Sequence, residues 1–277
     1  MMNKKEISEL VEKRLNEVGI NFLREQYEQS GLINHIIIDN LLPIEVASRL
    51  NFDFPKEKEL NHLNALQENK FVGVYFSEKQ KLVQECLYAF QEQSILKIIS
   101  QITNIKNLIG DPELYAGGVS SMSKGCFLNP HIDNSHDRNL ENFRRLNLLY
   151  YVNQNWIPTE DGGELVLYPN GIKNKEEKIH CKFNRLVIMR TDNKSIHGVK
   201  EILSKTNRRK CISNYYFSKN SPLGKSYYHS TSFRGFKKEF IKGTYLRLNA
   251  FARTYAKKVI YKITGKSIST NYHKKSD

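Results

Sequence analysis

The feature that most constrains the fold of this chain is a series of short β-rich runs in its second half. After Asp111-Pro112, apolar stretches alternate with polar or glycine-containing turns such as Asp161-Gly162-Gly163. The stretches are FLNPHID (127–133), RLNLLYYVN (145–153), GELVLYP (163–169), RLVIMR (185–190) and RKCISNYYF (209–217). Several short strands at near-regular spacing behind N-terminal helices predict an antiparallel sandwich or barrel, with helices backing it.

The first hundred residues predict the helices that back this sheet. Apolar residues recur every three or four positions over 4–27 and predict one amphipathic helix ending near Gly31. They are Ile7, Val11, Leu15, Val18 and Phe22. The β-branched run at 35–40 predicts a strand, Pro43 suits the first turn of a following helix, and 81–109 predicts one or two more helices.

The charge of the chain is concentrated at its C-terminal end. The sequence has 43 Lys and Arg against 29 Asp and Glu, a formal charge of +14, and 219–277 holds 14 of the basic residues with only Glu239 and Asp277 as acids. This basic tail contains a helical stripe and ten aromatic residues, which argue for some packing. It is interpreted as a solvated helix packed outside the barrel or as a contact for an anionic membrane or acidic glycan, and less as a nucleic-acid contact.

The cysteines and the N-terminus indicate a cytoplasmic protein, or one peripheral at a membrane. Cys86, Cys126, Cys181 and Cys211 lie far apart without a CxxC pair, which suggests neither a zinc knuckle nor a disulfide framework. The first residues lack the continuous apolar segment of a signal peptide. No uncharged apolar run approaches the roughly 18 residues that a membrane helix needs.

Three residues on two of the predicted β segments form a candidate metal site. His131 and Asp133 lie two apart, so in an extended strand their side chains project from the same face. His197 follows 64 residues after Asp133, just beyond the apolar run RLVIMR. Two histidines and one carboxylate on a β scaffold are the ligand set of non-heme iron(II) oxygenases, which leaves coordination positions open for cosubstrate and dioxygen.

A basic residue on the final predicted strand suggests what else the site binds. Arg209 shares a strand face with Cys211, Ser213 and Tyr215. If that face points into the barrel, the buried guanidinium needs an anionic partner. A dicarboxylate that chelates the metal at one end and pairs with Arg209 at the other meets this need, although alternation would equally permit Arg208 to face inward in place of Arg209.

From these residues onward the sequence resembles the iron(II)- and 2-oxoglutarate-dependent oxygenases, in particular the prolyl-4-hydroxylase-like branch with the hypoxia-factor prolyl hydroxylases. The resemblance covers roughly 115–218, with a weaker likeness at 35–43. It rests on HIDN (131–134), RRLNLLYYVNQNW (144–156), DGGELVLYPNG (161–171), KFNRLVIMRTD (182–192), IHGV (196–199) and RRKCISNYYF (208–217).

The resemblance implies roles for individual residues. His131, Asp133 and His197 look like the iron ligands, and Arg209 looks like the residue that binds the distal carboxylate of 2-oxoglutarate. Tyr151 matches a family tyrosine that bonds to the same carboxylate. Leu149 and Asn147 share its strand face and are expected to line the cosubstrate pocket. Tyr215 stands where the hypoxia-factor branch has a tryptophan near the iron, so the resemblance does not define the substrate pocket. Cys211 replaces the small hydroxyl residue often found two after the arginine, a minor change that affects the hydrogen bonding of the carboxylate.

The implied fold is α+β, with a double-stranded β-helix (a jelly roll, cupin-like) as its core. The expected boundaries are an N-terminal helix over 1–30, a catalytic domain over 31–218 and a basic helical extension over 219–277. The implied activity is hydroxylation of an unactivated C–H bond with release of succinate and CO₂, using Fe(II), 2-oxoglutarate and O₂, with ascorbate as reductant. The substrate is a prolyl residue of a protein or peptide, or else a saccharide or small metabolite.

Several alternatives stay open at this point. The barrel could be metal-free and silent, binding an acidic polymer through its tail, or a zinc hydrolase with the same ligands, which leaves Arg209 unexplained. His136 is expected in a solvated loop, and Arg144 and Arg145 at the surface or rim. Segments 134–143 and 172–181 are the loops expected to shape the pocket mouth. Oligomeric state is not predicted.

Overall fold

The computed structural model describes residues 2–264, where helices cover one side of a curled antiparallel sheet. The helices are α1 (Lys4–Val18), α2 (Ile20–Gln29), α3 (Ile44–Asp53), α4 (Lys81–Ala89), α5 (Gln93–Thr103), α6 (Pro158–Asp161) and α7 (Phe240–Thr264). The strands are β1 (His35–Asp39), β2 (Asn61–Ala65), β3 (Glu68–Gly73), β4 (Gly118–Met122), β5 (Phe127–Ile132), β6 (Phe143–Tyr151), β7 (Leu165–Leu167), β8 (Glu177–Ile179), β9 (Arg185–Arg190), β10 (His197–Val199), β11 (Arg209–Ser218) and β12 (Ser232–Phe233).

These strands form one sheet in the order β1-β9-β6-β11-β4-β3-β5-β10-β7-β8, with β2 beside β3 and β12 beside β5. The sheet curls so that side chains of β4, β6, β9 and β11 share a buried cluster with those of β7, β8 and β10. The predicted double-stranded β-helix, backed by helices, is confirmed. Because successive strand residues alternate between the two faces, the inward side chains of both halves meet in the barrel interior.

Strand alternation separates the two cores of the molecule. On β6, Leu146, Leu148 and Tyr150 pack outward against the helices, whereas Leu149 and Tyr151 face the barrel interior. Both groups are apolar, because the central strands are buried on both faces and the helices supply the second cover. The helices thus hold the strands in place without occupying the interior.

The N-terminal helix differs from its prediction. A single helix over 4–27 is wrong, because Gly19 adopts φ 98° and separates α1 from α2. Since the break shifts the helical phase, Phe22 is turned outward and is 53% exposed, while Leu23 and Tyr27 are buried in its place. The segment 81–109 contains two helices, α4 and α5, as allowed by its pattern.

Much of the basic tail joins the barrel instead of merely covering it. β12 pairs with β5, placing Phe233 opposite His131, and α7 buries Leu246 and Ala250. None of the helices within residues 2–264 is long and apolar enough to cross a bilayer. The last part of the predicted extension, 265–277 with Tyr272, lies outside the described residues.

Asn184 ties the loop after β1 to the barrel. This residue is 1% exposed and has φ 59°, a left-handed conformation that Asn tolerates better than most residues. Its amide nitrogen donates to the Leu42 carbonyl oxygen at 2.7 Å. Its Oδ1 accepts from the Leu42 N–H at 3.0 Å and from the Tyr150 hydroxyl at 2.8 Å. One side chain therefore satisfies three buried polar groups.

We expect Asn184→Ala to destabilise the fold by about 2–4 kcal/mol, because it strands these buried polar groups without partners. Asn155→Ala is the matched control, since Asn155 also has a positive φ, 57°, but its side chain is exposed. Urea unfolding followed by circular dichroism measures both variants. Equal losses of stability would show that the left-handed backbone, and not the hydrogen bonds, determines the effect.

Candidate active site

His131, Asp133 and His197 come together inside the barrel. His131 lies on β5 and His197 on β10, and the two residues are direct partners in the antiparallel register of these strands. Asp133 follows β5 immediately. One ligand atom from each of the three lies within 4.8 Å of the others, and all three residues face the same interior cavity. The structure thus brings together the triad that the spacing predicted.

Both imidazoles are oriented by backbone carbonyls. Nδ1 of His131 lies 2.9 Å from the Asn129 oxygen, and Nδ1 of His197 lies 3.0 Å from the Ser195 oxygen. Because a carbonyl oxygen can only accept, each Nδ1 carries the proton and each Nε2 presents its lone pair. Those Nε2 atoms point at the Asp133 carboxylate, at 3.5 Å and 3.7 Å.

The charge state of the triad suits a metal. Burial lowers the pKa of His197 to about 4, helped by the neighbouring His131, so its imidazole is neutral at pH 7. Burial alone would raise the pKa of Asp133, but the charge of the neighbouring Arg144 outweighs it and holds that pKa well below its usual range. The buried Oδ2 of Asp133 has no hydrogen-bond partner. An ionised oxygen and two imidazole lone pairs converging on one point fit a divalent cation.

Arg209 and Tyr151 form a second polar pair deeper in the barrel. Arg209 is 3% exposed, and its guanidinium donates to the Tyr151 hydroxyl at 3.0 Å. No acidic side chain of the described residues pairs with it, and its buried Nε has no partner. Arg208 is exposed and faces Glu57 at 3.4 Å. Of the two neighbouring arginines, Arg209 therefore faces the barrel interior, where its charge needs an anionic partner.

The other predicted pocket residues also line this cavity, which has a volume of about 200 Å³. Leu149 and Cys211 are in its wall, and Cys211 lies opposite Tyr151 in the β6–β11 register. Asn147 donates to the Tyr215 hydroxyl at 3.4 Å, and its buried Oδ1 has no hydrogen-bond partner. Tyr215 lies nearer the triad end, half-buried and in the cavity wall. These side chains leave room for a ligand between Arg209 and the triad.

Arg144 was expected at the surface, and this expectation is wrong. It is 4% exposed, reaches Asp133 at 3.3 Å, and stacks on the Tyr215 ring at 4.1 Å from its centroid. A β-bulge explains the error. The β6–β11 register jumps between Tyr216 and Phe217, so Arg145 has no register partner and Arg144 turns inward. Strict alternation from Tyr151 would have turned it outward.

His136 and one predicted loop also differ from expectation. His136 is buried and not solvated, since its ring packs against Phe143 and its Nδ1 lies 2.8 Å from the Ser135 hydroxyl. Of the two loops expected at the pocket mouth, 134–143 contributes Asn134 and Leu140 to the cavity wall. Segment 172–181 contributes nothing to that wall, because it leads into β8 at the far edge of the sheet.

The C-terminal tail supplies a wall of the cavity that the sequence did not predict. Phe233 lies against His131, with ring centroids 5.2 Å apart. Arg253 and Lys257 extend to the cavity from α7. The Arg253 guanidinium donates to the Thr231 carbonyl oxygen at 3.1 Å. Their spacing of four residues would place them on one helix face, but nothing in the sequence says that this face meets the barrel.

The sequence matches one protein-family model. Residues 117–217 match the model described as the 2OG-Fe(II) oxygenase superfamily. The matched segment runs from the start of β4 to the end of β11 and includes the triad, Tyr151 and Arg209. No curated protein matches the sequence.

Solved structures share the fold at low sequence identity. A Trichoplax adhaerens prolyl hydroxylase, solved with a hypoxia-inducible-factor peptide fragment, has a TM-score of 0.54 and 20% identity over 76% of this chain and 94% of its own. A Pseudomonas putida prolyl-4-hydroxylase has a TM-score of 0.54 and 16% identity over 72% and 98%. A Phytophthora capsici prolyl 4-hydroxylase has a TM-score of 0.53 and 17% identity over 92% and 78%. At these identities the likeness concerns the fold.

We expect Arg209→Gln to raise the dissociation constant of 2-oxoglutarate about 100-fold, since it removes a buried charge-assisted contact of about 2–3 kcal/mol. Arg208→Gln, one residue away but exposed, should leave that constant within about twofold. Titration calorimetry on Mn(II)-loaded protein measures both. Equal losses in the two variants would contradict the assignment of the carboxylate site to Arg209.

Proposed function

We propose that this chain is a 2-oxoglutarate-dependent dioxygenase of the 2OG-Fe(II) oxygenase superfamily, whose model matches residues 117–217, and that it hydroxylates a prolyl residue of a peptide or protein. The observation that carries the proposal is one cavity with a cation-binding triad at one end and the unpaired Arg209 at the other. The structures that share its fold include several prolyl hydroxylases, one of them holding a peptide.

Each end of the cavity has a separate task. His131, Asp133 and His197 would hold Fe(II), and Arg209 with the Tyr151 hydroxyl would bind the distal carboxylate of 2-oxoglutarate. Bound iron and cosubstrate supply the oxidising chemistry, in which one atom of O₂ enters the substrate C–H bond and the other leaves in succinate, with loss of CO₂. Ascorbate is proposed as the reductant that keeps the iron in its ferrous state.

The protein's own residues hold the reacting groups in position. The carbonyl contacts of His131 and His197 fix the ring planes, so the Nε2 lone pairs stay aimed at one point. Arg144 holds the Asp133 carboxylate ionised and in place. The Tyr215 ring stacked on Arg144 gives the substrate side of the cavity a flat apolar face, which suits a pyrrolidine ring.

The charges of the cavity wall favour an acidic substrate. Arg253 and Lys257 line the wall contributed by α7, and none of the described acidic side chains forms an ion pair with either of them. Burial lowers the pKa of the half-buried Lys257, with a further contribution from Arg253. Two neighbouring cations in a partly desolvated wall are stabilised by an anion. We therefore propose a peptide with a carboxylate side chain near the target proline.

We expect purified protein with Fe(II), ascorbate and 2-oxoglutarate to form succinate, and His131→Ala to lose at least about 100-fold of this turnover because the cation loses a ligand. His62→Ala is the control, since His62 is exposed and lies outside the cavity. Succinate is measured by mass spectrometry. Equal inactivity of wild type and His131→Ala at full iron occupancy would defeat the enzyme assignment.

The substrate class is tested by incubation with proline-containing peptides and, in parallel, with saccharides. Hydroxylation of a prolyl residue adds one oxygen atom to a peptide fragment that contains it, which tandem mass spectrometry locates. Modification of a saccharide with no change in any peptide would replace the prolyl proposal while leaving the dioxygenase chemistry intact.

The charge preference has its own test with a matched pair of variants. Lys257→Gln should raise the KM of a Glu-containing prolyl peptide about fivefold, close to 1 kcal/mol, and leave the Gln-containing analogue unchanged. Lys258→Gln is the control, because Lys258 is adjacent but exposed and outside the cavity wall. An equal preference for both peptides in the wild-type protein would rule out a role for these cations in selection.

A further inference from the structure

The helix α7 has two faces of different character. Its inner face buries Leu246 and Ala250 and is fixed to the body, where the Thr254 and Ser230 hydroxyl oxygens lie 2.7 Å apart. Its outer face presents large apolar side chains to solvent. They are Ile241, Tyr245, Leu248, Tyr255, Val259 and Ile263, spaced at three, four or seven residues, with Phe240 and Phe251 beside them.

The exposure of this stripe is unusual for a soluble surface. Ile241 is 89% exposed, Leu248 66% and Ile263 76%. At 1.5 Å per residue the stripe extends about 33 Å along the helix, from Ile241 to Ile263. Contiguous apolar patches beyond a few hundred Å² are rare on monomers and mark interaction surfaces. We therefore expect a binding partner to cover the stripe.

Basic residues flank the stripe on its exposed side. Arg247, Lys258 and Lys262 are all exposed, and at 100° per residue they lie beside the apolar line and not opposite it. The 25 residues of α7 include no Asp or Glu. An apolar centre with a cationic border is the pattern of a helix that lies in the interface of a membrane with anionic lipids.

Other binding partners fit the outer face of α7 less well. A second copy paired through this face would bring the basic borders of two acid-free helices together, which is repulsive. A nucleic acid requires cations along the centre of the contact, where this helix is apolar. A spanning orientation is excluded by the lack of any sufficiently long and apolar helix within residues 2–264.

We propose that the outer face of α7 docks this protein on an anionic membrane surface, with the helix lying in the interface plane. Tyr245 and Tyr255 place amphipathic rings at the depth where such rings are favoured. The inner face of the same helix stays on the barrel, so docking needs no unfolding of the cavity wall. Docking is independent of the substrate, and it is measured without turnover.

The test is sedimentation of the full chain with vesicles of phosphatidylcholine alone or with 30% phosphatidylserine. We expect binding to the phosphatidylserine vesicles, weakening at high salt, and little binding to phosphatidylcholine. The double variant Leu248→Glu, Tyr255→Glu should lower the partition coefficient roughly tenfold or more, since both changes place an anion at the interface. Binding equal to that of the wild type, or none by the wild type, would overturn the proposal.

A matched control separates the helix face from charge in general. Leu32→Glu with Leu203→Glu adds the same two charges at exposed apolar residues of the body, 67% and 57% exposed, and should bind as the wild type does. Uncoupled succinate formation and the melting temperature establish that each variant is folded. Light scattering tests whether a second copy of the chain binds this face. A wild-type dimer that the α7 variant converts to monomer would assign the face to a second copy and overturn the membrane proposal.

Discussion

The burial of one carboxylate sets the requirements for the rest of the site. Asp133 is ionised in the barrel interior, and an unpaired charge there would cost several kcal/mol. Arg144 compensates part of that cost from β6, while the second carboxylate oxygen, 3.7 Å from Nε2 of His197, has no hydrogen-bond donor of its own. The arrangement is complete only when a cation joins the three side chains. The β5–β10 register and the bulge in β6 are what bring those groups within reach.

The same balance of charge recurs at the other end of the cavity with the signs reversed. Arg209 is a buried cation whose neighbours are a phenol, a thioether sulfur and a thiol, all uncharged at neutral pH. A protein that folds around such a group carries a binding site for an anion as part of its core. The two ends thus demand ligands of opposite charge, and a divalent cation at the triad chelated by a dicarboxylate that reaches Arg209 meets both demands.

Much of this arrangement could be predicted because it depends on local periodicity. Alternation along strands put Leu149 on the same face as Tyr151, and the i, i+2 spacing put His131 beside Asp133. The choice of Arg209 over Arg208 came instead from the resemblance of the final strand to the family. The inward orientation of Arg144 could not be predicted, because a bulge is a register irregularity between two strands and leaves no mark in the β6 sequence alone. The break at Gly19 carried a signal, since glycine in a helical run favours an ending, but the apolar stripe continued through it.

The pairing of β12 with β5 has a consequence for the integrity of the sheet. One edge of β5 is covered by β10, and the other is covered first by β3 at Phe127 and Leu128 and then by β12 at His131 and Ile132. Without β12, the backbone groups of the strand that carries His131 would form an open edge, the kind of template on which other chains add and aggregate. The tail therefore protects the barrel against self-association, and a chain that ended after β11 would have its exposed edge at the site of its chemistry.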